Sequence, residues 1–118
     1  LEIDIPMIIY IQEKYQDLVW EHRKRNNTQV IIKELESFRE DFAFYDQVQN
    51  IRLKEEWYGQ AGWLTESTQA TLELYNPMVM SKMFMLNDAT IHSPFNSEYY
   101  VWMDGGLTNT VPLSFYRG

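Results

Sequence analysis

The chain contains no cysteine, which removes disulfides and thiolate metal sites together. A reducing compartment is compatible with that composition. Its two histidines, His22 and His92, share no ligand spacing with each other or with a carboxylate, so each reads as structural. No stretch approaches the roughly 20 apolar residues that span a bilayer. Leu1-Glu2-Ile3-Asp4 has neither the basic start nor the apolar centre of a signal peptide. Positive charge is scarce: 10 Lys and Arg face 17 Asp and Glu, a formal charge of -7. That balance disfavours a broad grip on nucleic acid or an anionic membrane. The one basic cluster, Arg23-Lys24-Arg25, sits among acidic neighbours and reads as a solvated helix end. Also missing are the Gly-Lys-Ser or Gly-Lys-Thr of a phosphate loop, the Gly-x-Gly-x-x-Gly dinucleotide fingerprint and a glycine-flanked serine nucleophile.

What is present suits a packed globule. Of 118 residues, 45% are hydrophobic and 15% aromatic, enough for one domain with a moderate core and too few for a second. Beginning on Leu1 rather than methionine, the chain reads as a single α/β domain over residues 1–118, cut from a longer protein. Pro6-Met7-Ile8-Ile9-Tyr10-Ile11 predicts a buried strand with proline at its first position. Tyr15, Leu18, Val19 and His22 recur at helical spacing. Thr28-Gln29-Val30-Ile31-Ile32 predicts a second strand, and strand–helix–strand in so short a span is a βαβ pattern with parallel strands.

Ser37 and Glu40 have capping-box spacing, and Phe38, Phe42, Tyr45 and Val48 predict one helix continuing toward Lys54. Trp57-Tyr58-Gly59-Gln60-Ala61-Gly62-Trp63 predicts an ordered aromatic loop. Thr65 is placed to cap a short helix running to Leu74. Asn76-Pro77 opens another that fades by His92, with Val79, Met83 and Leu86 among its apolar positions. Four of its residues are methionines (Met78, Met80, Met83, Met85), expected as adaptable core packing.

The stretch richest in chemistry is Tyr99-Tyr100-Val101-Trp102-Met103-Asp104-Gly105-Gly106. A large apolar run stops at one carboxylate and two glycines follow, predicting a buried strand released into a loop. Asp104 then stands at a strand end, where open α/β sheets place ligands. Such a carboxylate can hold a hard divalent cation whose shell phosphates complete, with Gly105 and Gly106 admitting the backbone close to a diphosphate. The same Asp-Gly-Gly is ordinary turn chemistry as well. Lys82, mid-helix among Met78-Val79-Met80-Ser81 and Met83-Phe84-Met85-Leu86, offers an ammonium to a phosphate, or lays its stem over apolar surface with its head in water.

The block from Asn76 through Ser81-Lys82, then Ser93-Pro94-Phe95-Asn96-Ser97 and Trp102-Met103-Asp104-Gly105-Gly106, resembles the bacterial HtrL/YibB family. There a Ser-Lys helix leads to Asn-Pro-Phe-Asn-Ser and a strand ending Trp-Ile-Asp-Ala-Gly. Pro6-Met7-Ile8-Ile9-Tyr10 looks like the family's second strand, so the resemblance runs from about Ile5 to Pro112. Such proteins are associated with lipopolysaccharide and capsule gene regions, and their pattern is similar to GT-A glycosyltransferases. The resemblance implies a partial GT-A-like, Rossmann-like domain with a mostly parallel sheet and flanking helices. It would bind a nucleotide-sugar donor and serve transfer to a bacterial surface glycan.

By that analogy Asp104 is a metal ligand for Mn²⁺ or Mg²⁺, and Lys82 contacts the diphosphate or the donor sugar. Thr108 and Asn109 are candidates for hydrogen bonds to sugar or phosphate. Two departures stand out. Trp102 occupies the first acidic position of Asp-x-Asp, and Gly106 the position two beyond Asp104. The family's first strand is missing before Leu1 and the acceptor half after Gly118, so this chain alone is expected not to turn over. The resemblance implies a cytoplasmic place at the inner face of the bacterial inner membrane, and an edge strand open to pairing fits a homodimer. A competing expectation is a non-catalytic binding or assembly module in surface-polysaccharide synthesis, with the Trp57–Trp63 loop stacking on a sugar or anchoring a partner. A simple scaffold is the third.

Overall fold

The computed structural model describes residues 3–105. Within them, β1 (Met7–Ile11) and β2 (Thr28–Ile32) form a two-stranded parallel sheet, in register from Met7 opposite Thr28 to Ile11 opposite Ile32. Between them runs α1 (Gln16–His22), so the βαβ unit stands as the sequence predicts. Both strands are half-buried rather than buried. In α1 only Val19 is enclosed, while Tyr15, before it, and Leu18 face outward.

The basic cluster stands at the helix end with Lys24 and Arg25 exposed, as expected, while Arg23 is half-buried and makes contacts of its own. The Arg23 guanidinium donates to the carbonyls of Ile3 and Ile5 and, at 3.1 Å, to the Thr28 hydroxyl. Lys24 pairs with Asp4 at 3.0 Å, and Arg25 lies over the Trp20 ring at 4.3 Å. The cluster therefore fastens the chain entering β1 to the end of α1.

The single helix expected from Phe38 toward Lys54 is two. α2 (Phe38–Asp41) ends at Phe42, whose φ of -86° and ψ of 108° are extended, and α3 (Tyr45–Arg52) follows. The break has a packing cause. In a straight helix, residues two apart lie on opposite sides. Here Phe42 and Phe44 meet edge to face at 5.9 Å, and each lies within 6.5 Å of Phe84. Ser37 does not form the expected capping box; its hydroxyl donates to the Glu34 carbonyl at 2.7 Å.

The aromatic stretch is partly helical, as α4 (Glu55–Tyr58). Gly59 closes it, since a Cβ there would stand 2.7 Å from the Glu55 carbonyl oxygen. α5 (Thr68–Thr71) is capped by Ser67 rather than Thr65, with the Ala70 N–H donating to Ser67 Oγ at 3.3 Å.

α6 (Tyr75–His92) is the longest element at 18 residues. It carries Pro77 in its first turn, where the missing N–H costs nothing. It stops at Ser93, which precedes Pro94 and takes ψ 133°, since proline drives its predecessor out of the helical region. Pro77, Ser81, Met85 and Ala89, each four apart, form its buried row. The buried Ser81 hydroxyl is satisfied by donating to the Pro77 carbonyl at 2.6 Å. The methionines divide: Met85 is core and Met78 packs against it, whereas Met80 and Met83 are exposed. Phe38, Leu74 and Met85 make the core cluster, flanked by Tyr10, Leu35, Tyr45, Met78 and Trp102. Among the described residues, no helix is long and apolar enough to cross a membrane.

Candidate functional site

The strand expected over Tyr99–Met103 is not formed. Tyr99 is 80% exposed and Val101 85% exposed, and among the described residues no backbone hydrogen bond joins this segment to a neighbour. A buried strand needs both faces covered; here only Tyr100 and Trp102 turn inward. The segment is instead held by side chains. Trp102 stacks on Tyr10 of β1 with ring centroids 6.3 Å apart, and Tyr10 donates its hydroxyl to the Met85 carbonyl at 3.0 Å. Burial pushes the Tyr10 phenol up, and the nearby Asp88 carboxylate adds to the shift. Tyr10 thus ties sheet, α6 and the Trp102 segment together.

This attachment brings two expected site residues into contact. Lys82 lies on the α6 row Met78–Lys82–Leu86, beside the buried row, so its stem is half-buried among apolar neighbours. Its head meets a carboxylate: the ammonium sits 2.8 Å from Asp104 Oδ1 and 2.9 Å from Oδ2. The Trp102 indole N–H donates to Oδ1 at 2.7 Å. Lys82, first, and Trp102, second, hold the Asp104 carboxyl below the usual carboxylate range. Lys82 retains 28% side-chain exposure and Asp104 55%, so the pair is open to a ligand. Among the described residues, no atom lies within 4 Å of where a Cβ on Gly105 would stand. Its φ is not positive, so it serves clearance rather than backbone conformation. Gly106, Thr108 and Asn109 lie outside the described residues.

The donor set does not fit a divalent ion held by the protein. Among the described residues no three His, Asp or Glu side chains gather, and residues 106–118 contain no Asp, Glu, His or Cys. Asp104 is a lone carboxylate whose two oxygens already carry an ammonium and an indole N–H. Trp102, at the first position of the expected Asp-x-Asp, can donate but not ligate.

Two features escaped the reading of the sequence. One is the Trp102 donor, which period two in an extended segment places on the same face as Asp104. The other is a cavity of about 530 Å³ between the sheet and α6, lined by Ile8, Tyr10, Gln29, Ile31, Asp88 and His92 among others. Lys82 and Asp104 do not line it. His92 is one of the lining residues, and among the described residues no group of three His, Asp or Glu gathers there.

The Lys82–Asp104 geometry falls within a stretch that a known sequence pattern covers. The family model described as a bacterial protein of unknown function, HtrL_YibB, matches residues 1–116. The chain belongs to the HtrL_YibB family. Both members of the charged pair and the Trp102 donor lie inside the matched region. No curated protein and no solved structure matches the chain.

Proposed function

We propose that this HtrL_YibB chain is the donor-binding part of a GT-A-like glycosyltransferase acting on a bacterial surface glycan, lipopolysaccharide or capsule. The observation that carries the reading is the Lys82–Asp104 contact at 2.8–2.9 Å, beside a glycine whose Cβ position no described residue approaches within 4 Å. A nucleotide-sugar leaves as a diphosphate, and a fixed cation that offsets the developing charge lowers the barrier to departure. Lys82 is that cation. Asp104 and the Trp102 N–H fix its direction, and the clearance at Gly105 admits phosphate oxygens to the backbone. On the sugar side, the exposed part of the Asp104 carboxylate can accept from hydroxyl groups.

The test is thermal stabilisation by a panel of nucleotide-sugars, since a ligand that binds only the folded chain raises its apparent stability by mass action. A shift produced by one nucleotide class and abolished in Lys82→Met supports the reading. No shift across the panel with a folded chain counts against it. A second reading, the non-catalytic binding or assembly module, draws on Trp63, which is 68% exposed. Large exposed aromatic rings serve sugars and protein partners alike.

A further inference from the structure

We infer that Lys82, rather than a divalent ion, is the cation of this site, and that Asp104 is the positioning residue that aims it. The inference rests on the donor-site reading above and specifies its chemistry. Four side chains form one line of support. The Tyr10 hydroxyl is anchored on the Met85 carbonyl at 3.0 Å, the Tyr10 ring carries Trp102, the Trp102 N–H fixes Asp104 Oδ1 at 2.7 Å, and both carboxylate oxygens face the Lys82 ammonium. An ammonium has three N–H donors, and among the described residues Asp104 is the acceptor that Lys82 meets. The remaining N–H direction is left for a ligand oxygen.

A divalent ion placed on either oxygen would share one carboxylate with that ammonium, and like charges at such range repel strongly. Hard cations are held by carboxylates together with substrate phosphates. Here the one carboxylate already carries an ammonium and an indole N–H, and the first Asp-x-Asp position is that indole rather than a second carboxylate. The anion is therefore met by a side-chain cation, with Asp104 acting through Lys82.

The experiment is calorimetric titration of the 118-residue chain with inorganic pyrophosphate in EDTA, for the parent, Lys82→Met, Asp104→Asn and the double variant. A parallel arm follows the four tryptophan indole resonances during titration with Mn²⁺ alone. The expected result is binding in EDTA, weakened about tenfold or more in each single variant, with the double no weaker than Lys82→Met. Lys82→Arg restores part of the affinity. Trp102→Phe, which keeps the ring on Tyr10 and loses the N–H, costs a few-fold. Mn²⁺ alone leaves the Trp102 resonance no broader than those of Trp20, Trp57 and Trp63.

Binding that requires Mn²⁺, losses that multiply in the double variant, or selective broadening of Trp102 by Mn²⁺ overturns the inference and leaves the donor site standing. No binding of pyrophosphate or of any nucleotide-sugar, with or without Mn²⁺, overturns the donor reading and the inference with it. Should Asp104→Asn fail to fold, the Mn²⁺ arm on the parent decides.

Discussion

Two carboxylates in this chain have nearly the same partners and opposite surroundings. Glu73 receives the Arg39 guanidinium at 2.7 and 3.1 Å and the Tyr45 hydroxyl. Asp104 receives the Lys82 ammonium and the Trp102 indole N–H. Each has one cation and one aromatic donor. Around Glu73 everything is tied: Gln49 donates to its carbonyl at 2.9 Å, and Arg52 holds the Ala70 carbonyl at 2.6 Å. That network fastens α2 and α3 to the chain between α5 and α6. The arginine fork matches the carboxylate bidentately, fixing the geometry of the pair. Around Asp104 the cation is a lysine, and among the described residues the backbone makes no ladder and nothing lies within 4 Å of a Cβ on Gly105. The difference separates a clamp from a site: an arginine that closes a contact, against a lysine that keeps a donor.

The largest expected effect falls on what the two networks share. Phe38, Leu74 and Met85 pack together, with Tyr45 from the first network and Trp102 from the second against them. Phe38→Ala should cost about 3–5 kcal/mol, read as a lower urea midpoint, and should loosen both networks at once. Loss of only one would show that they stand on separate supports.

Next come the carboxylates themselves. Glu73→Gln should lower the urea midpoint clearly and leave pyrophosphate and nucleotide-sugar binding unchanged. Asp104→Asn should do the reverse, moving stability by no more than about 0.5 kcal/mol while weakening ligand binding about tenfold or more. Equal destabilisation by the two substitutions would make both networks clamps and end the contrast.

Acid should separate them further. Glu73 is pulled down to about 2 from an ordinary 4.5, first by the hydrogen bond from Arg39 and then by that from Tyr45. Its folded value lies below its unfolded one, so its contribution is whole above pH 4.5 and fades as pH falls through about 2. Urea midpoints measured down that range should fall more steeply for the parent than for Glu73→Gln. Asp104 is depressed in the same direction by Lys82 and Trp102, so ligand binding should also weaken as acid protonates it.

The smallest effect belongs to Gly105. A Cβ there meets no atom of the described residues within 4 Å, so Gly105→Ala should leave stability unchanged and reduce ligand affinity only if phosphate approaches the backbone there. Unchanged affinity would place the ligand on the side chains alone.

The parts of this arrangement that follow from local pattern were legible in the sequence. The β-branched runs at 7–11 and 28–32, the helix between them and the end of α6 before Ser93-Pro94 are each determined by neighbours a few residues away. Asp104 and Lys82 stood out as chemistry without a stated contact. What local pattern could not show was how Phe42 and Phe44 meet Phe84, which breaks a helix that periodicity draws as continuous. The strand expected at 99–103 failed for a related reason: apolar content signals burial, but Tyr99 and Val101 lie exposed. Arg39 and Glu73 are 34 residues apart, and nothing in either neighbourhood announces the pairing. The identity of Trp102 was visible, but its role as a donor needed Tyr10 to fix its ring.

Ligand is met at Lys82–Asp104 rather than at the aromatic loop on the reading proposed above, and the four tryptophans distinguish the two places. Their indole N–H resonances, assigned by single Trp→Phe substitutions, should be followed while nucleotide-sugars are titrated into the chain. The account predicts that the Trp102 resonance shifts with ligand and that Trp57 and Trp63 stay in place, with the Trp102 shift lost in Lys82→Met. Movement of Trp57 and Trp63 with Trp102 unmoved would contradict it and give the binding surface to the loop.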